Sequence, residues 1–259
     1  MNSLKRFLVV ATMSAGLLTQ AAIVPTTIMK PVMAAAPATT QAAAQAPQTK
    51  GKLIFIDPGH GSSDVGAVHE TNGKVDLTER DVNLDVANRL ARMLREAGYD
   101  VQMSRDDASA LVPGQEAADL QARVDKANKA NADLLISVHN NGLDNKATRG
   151  TEVWYCSDRP FDARNETLAK ATQKALVSNL REAGYNTLDR GIKDDKIMGH
   201  FAVNGPNLAR PSKMPSITGE PLFITNDQDA AQLAKPEIRE AIARGYFQGI
   251  QEFYSNAKS

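Results

Sequence analysis

The sequence predicts an α/β fold, namely a single domain with a mostly parallel twisted sheet and helices on both faces. Short apolar runs typical of buried strands alternate with stretches in which apolar residues recur every three or four positions, as in amphipathic helices. Two of the apolar runs end in polar loops that contain histidine and glycine. Hydrophobic residues make up 42% of the 259 positions, enough for a sizeable core.

The first predicted strand covers residues 53–56. This continuous apolar run leads directly into residues 57–61, which contain proline and two glycines, so it indicates a buried strand that ends in a tight loop. His60 therefore lies just beyond the end of a strand.

The first predicted helix follows this loop. Its apolar residues recur at three- and four-residue intervals over residues 82–97. Thr78 can cap the start of the helix, Glu79 falls in the first turn, where the helix dipole favours a carboxylate, and Gly98 is suited to end it.

The remaining elements continue the alternation. Residues 133–138 repeat the first arrangement, because an apolar run ends at His139 and a polar loop follows. Further strands or extended segments are predicted at residues 101–104, 151–155 and 216–224, and further helices at residues 120–127, 168–180 and 238–254. The carboxyl ends of parallel strands meet at one edge of a sheet, where ligand sites form.

Charge and cysteine content exclude several classes of protein. Thirty Lys and Arg balance thirty Asp and Glu, so the basic excess typical of nucleic-acid-binding proteins is missing, and no nucleic-acid partner is expected. A single cysteine, Cys156, excludes an intrachain disulfide and a multi-cysteine metal site. A zinc site would therefore have to use histidines and carboxylates.

The amino-terminal region predicts export. Lys5 and Arg6 precede the largely apolar residues 7–18, and small residues follow, an arrangement typical of a signal peptide over residues 1–33 with an uncertain boundary. Retention as a membrane anchor is the alternative, but the threonines, Gln20 and Pro25 make a spanning segment unconvincing, so no stable membrane insertion is expected after cleavage. The expected location is the periplasm, the cell wall or the exterior.

Residues 34–51 predict a linker. They are rich in Ala, Pro, Thr and Gln and contain nothing bulky to bury before Lys52. The folded domain is expected to cover residues 52–259.

Two histidines at matching strand ends suggest a metal site. His60 and His139 would emerge at the same edge of the sheet, and zinc hydrolases commonly combine histidines with one carboxylate and an open position. Glu79 is the proposed carboxylate because it begins the helix that returns from the His60 loop. From the residues alone, three other acids compete with it: Asp57, Asp64 and Glu70.

Glu220 is a candidate catalytic residue. It interrupts the otherwise uncharged residues 215–224, where an unpaired buried acid would be costly. Beside a metal, such a carboxylate could act as the general base for a water molecule. An exposed acid at the end of a strand is the alternative interpretation.

Five blocks of residues, taken in order, add a family resemblance. They are Asp57-Pro58-Gly59-His60-Gly61 with Asp64 and Gly66-Ala67; Glu79-Arg80-Asp81-Val82-Asn83-Leu84; Ser137-Val138-His139-Asn140-Asn141; Arg190-Gly191-Ile192-Lys193; and Lys213-Met214-Pro215 with Glu220 and Phe223-Ile224-Thr225-Asn226. Together they resemble the zinc-dependent N-acetylmuramoyl-L-alanine amidase catalytic domain of the amidase 3 family. The resemblance covers essentially all of residues 52–255.

This resemblance implies a peptidoglycan hydrolase that cleaves the amide between the lactyl group of N-acetylmuramic acid and L-Ala of the stem peptide. It implies Zn²⁺ bound by His60, Glu79 and His139, with Glu220 as the general base for zinc-activated water. The sequence departs from the family pattern at Ser62, at residues 218–219 and at residues 221–222, which affects loop shape more than the metal site.

The resemblance also implies which partners to expect, and two competing functions stay open. Peptidoglycan is the expected substrate, and an activator protein is not required, because no long inserted helix separates Cys156 from Arg190. His69 and His200 have no counterpart in the family, and their roles stay open. A zinc peptidase or deacetylase acting on other wall bonds and a wall-binding module without catalysis are the competing hypotheses.

Overall fold

The computed structural model describes residues 51–198 and 208–256. The predicted signal peptide, the predicted linker up to residue 50, and His200 lie outside the described residues. Within these residues, no helix is both long and apolar enough to cross a membrane.

A six-stranded sheet forms the centre of the domain. Its strands are β1 (Leu53–Pro58), β4 (Asp100–Met103), β5 (Leu134–Val138), β6 (Thr151–Tyr155), β7 (Asp189–Asp194) and β8 (Ser216–Glu220). Their spatial order is β4-β1-β5-β8-β6-β7. Four neighbouring strands, β4, β1, β5 and β8, are parallel, whereas β6 pairs with β8 in the antiparallel direction and carries the parallel β7 with it. A separate hairpin contains β2 (Val68–Thr71) and β3 (Lys74–Thr78).

Helices cover both faces of the sheet. They are α1 (Glu79–Glu96), α2 (Glu116–Lys129), α3 (Asp162–Glu182), α4 (Asp195–Met198), α5 (Asp227–Leu233) and α6 (Pro236–Asn256). Alternating strand residues such as Ile54 and Ile56 pack with α1, α3 and α6 in the larger apolar core. Phe55, between them, points the other way and packs with Val124 of α2 in a smaller core.

The predicted fold class is confirmed. Thr78 caps α1 by accepting a hydrogen bond from the backbone N–H of Asp81, and Gly98 follows the helix with a φ of +86°. The segment predicted as extended over residues 216–224 is a strand only as far as Glu220.

Several elements were not predicted: the β2–β3 hairpin, β7, α4 and α5. The hairpin is mostly exposed and β7 is largely polar, so neither shows the apolar pattern of a buried strand. The reversed direction of β6 and β7 also has no local signal in the sequence.

Candidate metal centre

The three side chains proposed as metal ligands lie together at the carboxyl edge of the parallel strands. His60 follows β1, His139 follows β5, and Glu79 is the first residue of α1. One nitrogen or oxygen atom from each residue lies within 4.8 Å of the corresponding atoms of the other two. The fold therefore brings together residues that are 19 and 60 positions apart in the sequence.

Glu79 lies at the centre of this group. Its Oε2 atom is 3.0 Å from Nε2 of His60, and its Oε1 atom is 2.9 Å from Nδ1 of His139. The carboxylate also accepts hydrogen bonds from the backbone N–H groups of Ala67 and Asn140. These contacts fix a buried carboxylate between two imidazole rings.

The backbone leaves little space around the ligand atoms. Gly66 has a φ of +66°, and a Cβ atom there would lie 2.6 Å from both Glu79 Oε2 and His60 Cδ2. Gly59 likewise faces the imidazole ring of His139. The close approach at these two glycines explains why the site requires residues without side chains.

The other acids proposed as ligands have different positions. Asp64 accepts a hydrogen bond from Nδ1 of His60 at 2.8 Å, which leaves Nε2 directed at the centre of the group. Asp57 is fully buried and is not one of the convergent donors; Ser104 and Ser137 donate hydrogen bonds to its two oxygens. Glu70 lies on the exposed part of the β2–β3 hairpin.

The electrostatics of the group favour a bound cation. Burial alone would lower the pKa of His60, but the hydrogen bonds and charges of Glu79 and Asp64 raise it to about 9. Burial would raise the pKa of Glu79, but hydrogen bonds from His139 and His60 hold it well below its usual range. A buried anionic carboxylate thus attracts positive charge, which protons supply when no metal is bound.

Glu220, the proposed general base, is the last residue of β8. The register pairs Ser137 with Thr218, so His139 and Glu220, two residues later, are neighbours on the same face of the sheet. Glu220 and the three proposed ligands line one cavity of about 470 Å³. Glu220 is 3% exposed, and none of the described residues offers a hydrogen-bond partner to its Oε2 atom.

Burial raises the pKa of Glu220 well above its usual range, and the charges of Glu79 and Glu152 raise it further. A raised pKa makes this carboxylate a stronger base than an exposed glutamate, so it could accept a proton from an acidified water molecule. Glu220 can therefore serve as a general acid and base in this cavity.

Glu152, a second buried acid next to Glu220, was not among the site residues predicted from the sequence. The antiparallel register of β6 and β8 pairs the two glutamates directly. Asn141 and Trp154 donate hydrogen bonds to Glu152 Oε1, and Arg190 donates one to Oε2. A charge in the otherwise uncharged residues 151–155 is the same signal that singled out Glu220, so Glu152 could have been predicted.

The donor set fits zinc. Two imidazole nitrogens and one carboxylate oxygen form a common ligand set of catalytic zinc sites, whereas Mg²⁺ and Ca²⁺ prefer oxygen ligands. The donor atoms converge, and a Cβ atom at Gly66 would crowd two of them, at 2.6 Å from Glu79 Oε2 and 2.7 Å from His60 Nε2. His60, Glu79 and His139 could therefore hold one zinc ion.

His69, whose role stayed open, lies outside this cavity. Its Nδ1 atom is 2.7 Å from an Asp76 oxygen and its Nε2 atom is 3.2 Å from an Asp227 oxygen. These contacts connect the β2–β3 hairpin to α5. Cys156 is fully buried, as expected for a small core residue.

Comparison of the sequence with known proteins gives a consistent result. The profile of the N-acetylmuramoyl-L-alanine amidase family matches residues 54–252. The chain is 37% identical over 205 residues to N-acetylmuramoyl-L-alanine amidase LytC of Bacillus subtilis strain 168, covering 79% of the chain but only 36% of LytC. It is 32% identical over 212 residues to the germination-specific N-acetylmuramoyl-L-alanine amidase of the same strain, covering 79% of the chain and 81% of that protein.

Solved structures show the same similarity. An N-acetylmuramoyl-L-alanine amidase from Clostridium difficile 630 superposes with a TM-score of 0.64 at 29% identity, covering 80% of this chain and 98% of the other. The amidase AmiC2 of Nostoc punctiforme gives a TM-score of 0.61 at 32% identity, covering 77% and 94% respectively.

Proposed function

The chain belongs to the N-acetylmuramoyl-L-alanine amidase family, and from this premise we propose that it is a zinc-dependent peptidoglycan hydrolase. Its proposed reaction is hydrolysis of the amide between the lactyl group of N-acetylmuramic acid and L-Ala of the stem peptide. The observation that supports this best is the convergence of His60, Glu79 and His139 in one cavity with Glu220.

In this proposal the chain's own residues have separate tasks. His60, Glu79 and His139 hold the metal, and Asp64 orients His60. A bound zinc ion would polarise the amide carbonyl and increase the acidity of a water molecule. Glu220 takes the proton from the attacking water and gives it to the departing amine of L-Ala. No nucleophilic serine or cysteine is needed.

The test is the Glu220→Gln variant of the full chain. We expect it to keep the zinc content of the wild-type chain and to lose roughly 100-fold to 10,000-fold in the rate of L-Ala amine release, since general acid–base catalysis contributes about that much. Glu237→Gln, at an exposed position in the first turn of α6, is the matched control and should leave the rate unchanged. Undiminished release by Glu220→Gln would remove Glu220 from the mechanism.

Mass spectrometry of digested peptidoglycan separates the proposal from its alternatives. Intact stem peptides with a free L-Ala amine support the amidase. Shortened stem peptides or deacetylated sugars would instead indicate a zinc peptidase or a deacetylase. Zinc binding without any turnover would indicate a wall-binding module.

We also propose that the chain consists of a signal peptide, a linker and one catalytic domain. Residues 1–33 act as a signal peptide and residues 34–51 as a linker, so that the catalytic domain, residues 52–259, works on peptidoglycan outside the cytoplasm. The described residues between β6 and β7 contain a single helix, α3, and none of them is among the residues that line the cavity. Purified protein should therefore cleave peptidoglycan without an activator, and inactivity until a second protein is added would contradict this.

A further inference from the structure

Arg190 lies on the strand next to the two buried glutamates, Glu152 and Glu220. Glu220 on β8 pairs with Glu152 on β6, and Arg190 on the next strand, β7, donates a 2.6 Å hydrogen bond from Nε to Glu152. Because neighbouring strands are about 4.8 Å apart, two spacings place the Arg190 backbone about 10 Å from that of Glu220.

Three contacts fix the orientation of the Arg190 side chain. Glu152 holds its Nε atom, and the guanidinium carbon lies 5.0 Å from the centre of the Phe223 ring. Gly150 borders its aliphatic part, since a Cβ atom at that position would be 3.1 Å from Cδ of Arg190. A guanidinium restrained in this way loses little conformational freedom when it binds a ligand.

The two terminal nitrogens of Arg190 are available for a ligand. The described residues provide no hydrogen-bond partner for Nη1 or Nη2, and the side chain is 33% exposed. These two nitrogens form a planar fork that matches the two oxygens of a carboxylate.

Arg190 does not line the catalytic cavity, but Glu152 connects it to a residue that does. Asn141 lines the cavity and donates a hydrogen bond to the same Glu152 carboxylate that holds Arg190. The two terminal nitrogens of Arg190 therefore form a cationic donor pair beside the cavity, placed to bind a carboxylate on a substrate that extends beyond it.

We propose that Arg190 determines specificity by binding a free carboxylate on the second or third residue of the stem peptide. This inference rests on the proposed amidase function. An extended peptide advances about 3.3 Å per residue, so the distance of about 10 Å between the Glu220 and Arg190 backbones equals about three residues of a substrate that runs between them. Glu152 keeps the guanidinium in place and is a positioning residue for it.

The test uses muramyl tripeptides that differ in one group. One substrate has free carboxylates on the second and third residues, and two others have a carboxamide at one of these positions. Wild-type chain should cleave the free form with a kcat/KM roughly tenfold or more above one of the amidated forms, as expected for a charge-assisted hydrogen bond. Arg190→Gln should reduce this ratio to about one, and Arg190→Lys, which keeps the charge without the fork, should give an intermediate ratio.

Control measurements distinguish a loss of carboxylate binding from a loss of folding. Arg210→Gln removes another arginine that forms an ion pair, with Asp125, outside the cavity lining, and it should leave the ratio unchanged. Zinc content and melting temperature are measured for every variant. Equal loss of activity on all substrates in Arg190→Gln would show a structural role and overturn the inference. Equal cleavage of all three substrates by wild-type chain would overturn the inference alone, whereas cleavage of none would overturn the proposed function with it.

Discussion

Substitution of Gly59 by alanine would displace a proposed zinc ligand without removing it. A Cβ atom at position 59 would lie 2.2 Å from Cε1, 2.3 Å from Nε2 and 2.6 Å from Nδ1 of His139. Ordinary contacts begin at 3.4 Å, so the ring must move by about 1.2 Å. Nδ1 is the atom that lies 2.9 Å from Glu79. Disturbing the orientation of a ligand typically lowers metal affinity about tenfold to 100-fold, so we expect zinc binding to weaken by about 1.4–2.7 kcal/mol.

Zinc affinity is measured by competition with a chromophoric chelator, and melting temperature is recorded with and without zinc. The control is Gly245→Ala, whose Cβ atom would lie 2.8 Å from Cα of Leu176 and thus crowd α6 against α3 away from the metal centre. It should lower the melting temperature but keep wild-type zinc affinity. Wild-type zinc affinity in Gly59→Ala would refute the reasoning, because the ring position would then not govern metal binding.

Three further predictions concern the groups around the site. Asp64→Asn should weaken zinc binding about tenfold to 100-fold in the same titration, because it removes the carboxylate that orients His60, and unchanged affinity would contradict that role. Because the pKa of His60 is raised to about 9, zinc must displace a proton from this imidazole at pH 7. Zinc affinity should therefore increase with pH up to about 9. Calorimetry in two buffers should detect the released proton at pH 7 and no release above about pH 9. A binding enthalpy at pH 7 that does not depend on the buffer would contradict the displacement of a proton from His60. Asp57→Ala should reduce the free energy of unfolding in urea by about 3 kcal/mol, since buried Arg123 loses one of its two nearby carboxylates, and a loss below about 1 kcal/mol would count against this.

The elements that the sequence predicts are those with strong local patterns. The apolar run at residues 53–56 forms part of β1, and the amphipathic residues 82–97 correspond closely to α1. His60 and His139 could be placed at one edge because both follow buried strands that the alternation makes parallel. Glu79 could be placed near them because its helix returns from the same loop.

Other features depend on contacts between distant residues. The β6 sequence could pair in either direction, and only the fold shows that it runs antiparallel to β8 and brings Glu152 opposite Glu220. From the residues alone, Asp64 competed with Glu79 as the carboxylate ligand. The structure shows that Asp64 instead accepts a hydrogen bond from Nδ1 of His60. Similarly, Arg190 belonged to a family motif, but its contact with Glu152 requires the β6–β7 pairing.

The most direct test of the proposed metal centre is an anomalous diffraction measurement at the zinc absorption edge on crystals of zinc-loaded protein. We expect one strong peak about 2.0–2.2 Å from a nitrogen of His60, a nitrogen of His139 and an oxygen of Glu79, with Glu220 beside it but not bound. A peak elsewhere in the chain, or one that lacks any of the three side chains, would contradict the proposed centre.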